Sequence, residues 1–109
     1  MIIEQVGIVS SPVGSEELRR ALAALVGPTK VEPGCICCSL YTVAGRPNKF
    51  FFETRWRSEA ELVKHLRSEQ YRKLLILIEL SNQPPVVEFH EVSKTQGLEL
   101  VAAVRREAV

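Results

Sequence analysis

Three side chains in the middle of this chain have the chemistry of a proton-transfer site beside an aromatic wall. His65 lies beside the apolar helical stripe formed by Leu62 and Leu66, so its side chain is expected to be desolvated. The ordinary pKa of histidine allows either proton state near neutrality. Tyr71 can donate a phenolic proton to an oxyanion, and Trp56 can wall a ring-shaped substrate. Each also has a structural interpretation: a histidine bonded to a backbone carbonyl, and two aromatic core residues.

Two further aromatic side chains, Tyr41 and Phe52, are candidates to line the same pocket. Phe52 lies in an alternating apolar stretch, which is equally typical of residues that pack within a sheet. The residue types therefore favour His65 and Tyr71 as catalytic groups, beside a substrate pocket lined by Trp56, Phe52 and Tyr41.

The three cysteines lie together, at Cys35, Cys37 and Cys38. In a regular strand the first two side chains point to one face and the third to the other. Two thiols on one face supply half of a tetrahedral zinc site, and no histidine or cysteine follows at a suitable spacing. We therefore expect no metal site and interpret the cysteines as small apolar packing residues, while a redox role for Cys35 and Cys37 stays open. An odd, clustered set favours a reducing compartment.

Length and charge exclude several classes of protein. The chain has 109 residues and a net charge of +1, so we expect one domain and no partnership with nucleic acid or an anionic membrane. No apolar span of membrane-crossing length occurs, and the first residues do not have the pattern of a signal peptide. These features predict a cytoplasmic protein.

The first half of the chain predicts one helix and three strands. Residues 2–9 are rich in isoleucine and valine and predict the first strand. Ser15 is expected to cap a helix that ends at Gly27-Pro28, because glycine suits a helix end and proline cannot continue it. Residues 35–43 and 49–57 then predict a hairpin, joined by a loop at residues 45–48.

The second half predicts an interrupted helix and a returning strand. Ser58 and Glu61 form a capping box, and Ser68-Glu69 is a second helix start, so we expect a break between two helical segments. Residues 74–80 are apolar on several sides, which we interpret as a subunit contact. Residues 86–92 predict the fourth strand. The order is β-α-β-β-α-β, a ferredoxin-like α+β domain over residues 1–96, followed by a C-terminal helical extension over residues 97–109, helical at 97–108.

Charged residues on the predicted sheet have structural interpretations. Glu53 and Arg55 are two residues apart in one strand, so they share a face and can form a pair, which we interpret as a feature of a dimer interface. His90 alternates with Glu88 in the last strand and is interpreted as exposed.

The combination of these pieces resembles the antibiotic biosynthesis monooxygenase family. The resemblance is carried by four segments in a fixed order: Glu32-Pro33-Gly34-Cys35, residues 50–56 with Ser58, residues 65–71, and Pro84-Pro85-Val86. It implies a homodimer in which two four-stranded antiparallel sheets form a dimeric α+β barrel with the helices outside. Some relatives oxidise quinols or aromatic polyketides with dioxygen and no metal or flavin, and the deprotonated substrate supplies the electrons.

The resemblance therefore implies a cofactor-independent monooxygenase that oxidises a quinol or polycyclic phenol. His65 would assist proton removal, Trp56 would line the pocket, and Tyr71 would stabilise oxyanion charge. Two alternatives stay open: a non-catalytic dimer that binds a hydrophobic small molecule, and a redox-linked structural protein that uses the cysteines.

Other relatives degrade haem, and the chain departs from their pattern. Trp56 matches a tryptophan of that branch, but the first strand has no asparagine. The histidine of that branch is expected near Leu75, and His65 lies too early in the chain. Haem cleavage is therefore disfavoured.

Overall fold

The computed structural model describes residues 1–107, so the predicted helical end at Ala108 lies outside the described residues. The four strands are β1 (Ile2–Val9), β2 (Cys35–Val43), β3 (Arg46–Trp56) and β4 (Val86–Glu91). The four helices are α1 (Ser15–Lys30), α2 (Glu59–Leu66), α3 (Glu69–Ile78) and α4 (Leu98–Glu107). The predicted order is confirmed, with the second helix divided into α2 and α3.

The strands form one antiparallel sheet in the order β2-β3-β1-β4, which confirms the ferredoxin-like α+β fold. Alternation gives the sheet two unlike faces. The face beneath the helices, here called the covered face, carries the core of the chain. Its fully buried members include Val6 and Ile8 of β1, Phe50 and Phe52 of β3, and Leu22 of α1. The other face, here called the open face, is not covered by any of the chain's described helices.

Helix α1 corrects two predictions. Its N-cap is Gly14 without a side-chain cap, and Ser15 is the first helical residue, with its hydroxyl donating to the Pro12 carbonyl. The helix also continues through Gly27-Pro28 to Lys30, so the predicted end was wrong. Pro28 removes only one amide donor, and Thr29 is fully buried against the body of the chain, which holds the last turn in place.

The hairpin is tighter than predicted. The turn comprises Ala44 and Gly45 alone, and β3 begins at Arg46, so the predicted loop at residues 45–48 was wrong. Pro47 is tolerated inside this strand because the pairing of β1 with β3 begins only at Lys49. The predicted bounds of β1 and β2 are confirmed, and β3 and β4 each end one residue earlier than predicted.

The predicted break in the second helix is confirmed. The Ser58 hydroxyl accepts a hydrogen bond from the Glu61 amide at 3.3 Å and donates to its carboxylate at 3.0 Å. The Ser68 hydroxyl accepts from the Tyr71 amide at 3.1 Å and so opens α3. The two caps determine where α2, which carries His65, and α3, which carries Tyr71, begin.

A β-bulge corrects the predicted placement of the cysteines. Cys35 pairs with Trp56 and Cys37 with Arg55, so the register shifts at Ile36. Cys35 and Cys38 therefore share the covered face, and Cys37 lies on the open face. Burial raises the pKa of the Cys35 thiol to about 11 and that of the Cys38 thiol to about 12.

The apolar segment at residues 74–80 is only partly buried within the chain. Leu74 and Ile78 belong to the core, whereas Leu75, Ile76 and Leu80 are exposed. Helix α4 contributes no buried residue, and the predicted domain boundary at residues 96 and 97 falls just before it. Among the described residues no helix is long and apolar enough to cross a membrane.

Candidate functional site: a buried acid–base cluster

The centre of the site is a carboxylate within the first strand. Alternation along β1 places Glu4 on the covered face with Val6 and Ile8, where it is 0% exposed. Its cross-strand neighbour on β3 is Thr54, which is equally buried. A buried carboxylate of this kind requires hydrogen-bond donors or positive charge around it.

Hydroxyl groups supply those donors. Tyr71 donates to Glu4 Oε2 at 2.7 Å, and Thr54 donates to Glu4 Oε1 at 3.1 Å. The indole Nε1 of Trp56 in turn donates to Thr54 Oγ1 at 2.8 Å. The carboxylate, two hydroxyls and the indole therefore form one connected network beneath α2 and α3.

His65 lies against this network from α2. It is 2% exposed, its ring stacks on Trp56 with centroids 4.3 Å apart, and the Tyr71 ring meets it edge-on at 5.1 Å. His65 Nδ1 lies 2.9 Å and 3.1 Å from the two carboxylate oxygens of Glu32. Because a carboxylate only accepts hydrogen bonds, Nδ1 carries the proton in this arrangement.

The second ring nitrogen of His65 is the unpaired atom of the site. Nε2 lies 3.7 Å from Glu4 Oε1, which is beyond hydrogen-bond distance, and it has no hydrogen-bond partner among residues 1–107. With Nδ1–H fixed by Glu32, Nε2 is the position from which His65 can accept a proton. The Glu4 carboxylate lies on the Nε2 side of the ring, where its negative charge would stabilise a protonated His65.

A glycine turn positions Glu32. The Cys35 amide donates to the Glu32 carbonyl at 3.1 Å, and the Arg57 amide donates to the Gly34 carbonyl at 2.9 Å. Gly34 has φ of 81°, and a Cβ there would overlap the side chain of Glu61. This turn holds the Glu32 carboxylate over His65 with its side chain 17% exposed, so Glu32 forms the outer side of the site.

Tyr71 is held as a proton donor. Burial, reinforced by the hydrogen bond to Glu4, raises the pKa of the Tyr71 hydroxyl well above its ordinary value of 10.0. The phenol therefore stays protonated at physiological pH, and in this structure its proton goes to Glu4. The cluster of Glu4, Glu32, Thr54, Trp56, His65 and Tyr71 is here called the acid–base cluster.

The predicted site residues divide into two groups. His65, Tyr71 and Trp56 lie together, and Phe52 lies on the same face of β3 within the core. Tyr41 pairs with Phe51 on the open face and is 52% exposed, so the sheet separates it from His65. The geometry therefore does not support Tyr41 as a wall of the same pocket.

Three members of the cluster were missed by the sequence interpretation: Glu4, Glu32 and Thr54. Glu4 carried a usable signal, because a lone acidic residue shares its strand face with Val6 and Ile8. The sequence gives no comparable signal for Glu32, since its contact with His65 joins residues 33 positions apart.

Charged and amide side chains on the open face pair with one another along and across the strands. Glu53 accepts from Gln5 Nε2 at 2.9 Å and pairs with Arg55 at 3.4 Å, as the shared strand face predicted. His90 is half exposed beside Glu88, at 3.8 Å.

In the described part of the chain, two clefts lie along α1 and α3, and neither is lined by His65. Among residues 1–107, no group of three or more histidine, cysteine or acidic side chains is arranged to hold a metal ion.

Comparison with proteins of known sequence gives a distant relative. An uncharacterized protein of Synechocystis, sll1783, is 27% identical over 88 residues, which are 80% of this chain. The match spans 60% of the length of that relative.

Solved structures share the fold over most of this chain. Rv0793 from Mycobacterium tuberculosis has 25% identity and a TM-score of 0.78, covering 88% of this chain and 98% of its own. A crystal structure of an antibiotic biosynthesis monooxygenase has 23% identity and a TM-score of 0.76, covering 86% of this chain and 100% of its own. The sequence profile of the family described as antibiotic biosynthesis monooxygenase matches residues 1–75. The chain therefore belongs to the antibiotic biosynthesis monooxygenase family.

Proposed function

We propose that this protein is a cofactor-independent monooxygenase that oxidises a quinol or polycyclic phenol with dioxygen. The observation that supports the proposal best is a histidine held between two carboxylates, Glu32 and Glu4, in a water-excluded position. An oxidation that draws its electrons from the substrate must begin by removing a substrate proton.

His65 is the proposed base. Glu32 fixes the Nδ1–H tautomer, as the carboxylate does in a catalytic triad, so that Nε2 receives the proton. The nearby Glu4 carboxylate then stabilises the imidazolium. Tyr71 and Thr54 act as positioning residues, because their hydroxyls hold Glu4 in place.

The remaining chemistry needs only dioxygen and the substrate. The deprotonated substrate passes one electron to dioxygen, and the resulting substrate radical and superoxide combine to form a carbon–oxygen bond. The peroxide takes a proton, its oxygen–oxygen bond breaks, and the departing oxygen leaves as water with the hydrogen of the reacting ring carbon. One atom of O₂ ends in the new carbonyl and the other in water, so a phenol O–H, a ring C–H and O₂ become two C=O groups and H₂O.

The proposed base atom, His65 Nε2, lies on the Glu4 side of the ring and is buried, so a substrate would have to displace part of the packing around it. Trp56, which stacks on the His65 ring at 4.3 Å, and Phe52, further along β3, would line the space that opens.

The proposal includes a homodimer. The open face and the edge strand β4 carry exposed apolar side chains, among them Tyr41, Val86 and Ile36. Packing two such faces together would bury these side chains, and pairing of edge strands in a closed barrel would remove the free edges of each sheet. Glu53 and Arg55 would then lie inside the proposed barrel.

Oxygen uptake with a panel of quinols and polycyclic phenols tests the function directly. The chain contains two histidines, so His90→Gln is a matched control for His65→Gln. We expect His65→Gln to lower the rate by about 100-fold or more, and His90→Gln to leave it nearly unchanged. Equal rates in both variants, or no uptake above buffer by the wild type with any substrate, would contradict the proposal.

A second candidate function is binding without turnover. The Glu4 carboxylate already accepts two hydrogen bonds from hydroxyl groups of the chain, and Trp56 is fully buried. A cluster satisfied in this way also fits a structural role, in a protein that binds a ligand elsewhere and does not convert it. A ligand that raises the melting temperature while the wild type consumes no oxygen would favour this function.

A further inference from the structure

Helix α4 has an apolar surface without a covering partner in the described chain. It contributes no buried residue, and its apolar side chains lie on one side of the helix: Leu98, Leu100, Val101 and Val104. At 100° per residue these positions fall within a stripe about 160° wide. A helix of this length is marginal in water by itself, so the stripe requires a surface to pack against.

The outer surface of α1 and α3 offers a groove of matching character. Two clefts of about 430 Å³ each share Ala21 and Leu77, so they form one continuous groove between the two helices. Ala21 and Ala24 line one side, where small side chains allow close approach of another helix. Ile76, Leu77 and Leu80 line the other side, and they belong to the apolar segment that the core leaves partly exposed.

The groove and the helix are complementary in charge. Glu17 lies at one end of the groove and Lys73 at the other. Glu16 pairs with two arginines, whereas Glu17 has no ion pair among residues 1–107. Helix α4 has Arg105 in its last turn on the same side as the apolar stripe, whereas Glu99 points to the opposite side. Arg105 can therefore face the groove, and it lies beside Glu17 when α4 is antiparallel to α1.

We propose that α4 of a second copy of this chain docks in the groove between α1 and α3. In the structure α4 is exposed while the groove of its own chain is open. Each copy has one such helix and one such groove, so a reciprocal exchange satisfies both surfaces with closed symmetry. The groove lies on the outside of the helices, so this contact leaves the open face of the sheet free for the proposed barrel.

Photo-crosslinking of the full chain tests the docking. Benzoylphenylalanine replaces Val104 on the apolar stripe, and the control carries it at Arg106, on the opposite side of α4. After irradiation at low micromolar concentration, we expect a covalent dimer in which position 104 is joined to α1 or α3 residues of the other copy. The Arg106 control should give little of this product. A crosslink within one chain, a crosslink to another surface, or an equal yield from the control would overturn the proposal.

A charge reversal supplies the second arm of the experiment. Arg105→Glu in the Val104-labelled chain should lower the yield of crosslinked dimer about fivefold, the effect of roughly 1 kcal/mol. Adding Glu17→Arg should restore it, because the pair is re-formed with the charges exchanged. A yield that Arg105→Glu leaves unchanged, or that Glu17→Arg does not restore, would also overturn the proposal.

Discussion

The two faces of one sheet use the same residue types for different purposes. On the covered face, His65 and Tyr71 are enclosed by carboxylates and by Trp56. The only other histidine and tyrosine of the chain, His90 and Tyr41, lie on the open face and are half exposed. Residue type alone therefore does not define a site, because burial and a second hydrogen-bonded partner give a titratable side chain its chemistry.

The chain also contains matched controls for substitutions in the acid–base cluster. His65 and Tyr71 have counterparts of the same type on the open face, Gly34 has one at the far end of β2, and Trp56 is compared with Phe51, another aromatic residue of β3. Substitution of both members separates the effect of the environment from the effect of the residue type.

The largest expected difference concerns the aromatic residues of β3. Trp56→Ala should lower the free energy of unfolding by about 3–5 kcal/mol, because it empties a buried ring site and removes the indole that donates to Thr54 and stacks on His65. Phe51→Ala on the open face should lower it by about 1 kcal/mol. Urea denaturation of both variants checks this, and equal losses would remove the distinction between the two faces.

The two glycines with positive φ give the next comparison. Gly34→Ala should destabilise by about 2–4 kcal/mol, since φ of 81° is strained for alanine and its Cβ overlaps Glu61. Gly45→Ala has open space around it and should cost about 1–2 kcal/mol. Thermal unfolding measures both. A larger loss at Gly45 would show that the turn near Glu32 is not the more constrained one.

The tyrosine pair is expected to differ by less. Tyr71→Phe leaves a Glu4 oxygen without its donor and should cost about 1–3 kcal/mol. Tyr41→Phe should change the free energy of unfolding by less than about 0.5 kcal/mol, because its hydroxyl lies at the surface. Chemical denaturation of the two variants measures the difference, and indistinguishable midpoints would contradict the claim that the Tyr71 hydroxyl stabilises the buried Glu4 carboxylate.

The smallest expected effect is an alkaline loss of stability. Burial raises the pKa values of Tyr71, Cys35 and Cys38 in the folded chain above their ordinary values of 10.0 and 9.0. Groups of this kind stabilise fully below the unfolded pKa, and their contribution is lost as the pH rises toward the folded pKa. Stability should therefore fall from about pH 9 upward. Tyr71→Phe should make the decline above pH 10 shallower, and an unchanged slope would contradict the assignment for Tyr71.

The sequence predicted the elements better than the site. Periodicity and caps identified β1, the break before α3 and the covered face of β3, because these depend on residues close together in the chain. Pro28 was misinterpreted because the burial of Thr29 outweighs a local signal for a helix end. The bulge at Ile36 moved Cys37 to the open face, and no alternation pattern indicates such a shift.

The partners of His65 were beyond local interpretation. Glu32 and Glu4 approach it from a turn and a strand that only the folded topology brings together. Glu4 could have been identified as an acidic residue on an apolar strand face, whereas Glu32 appeared only as part of a turn.

Anaerobic mixing of the protein with a quinol or polycyclic phenol is the sharpest test of His65 as the base, because it isolates proton removal from the reaction with oxygen. We expect the red-shifted absorbance of a bound phenolate with the wild type and with His90→Gln, and its loss with His65→Gln. The same phenolate signal in His65→Gln would contradict the claim that the cluster around His65 removes the proton.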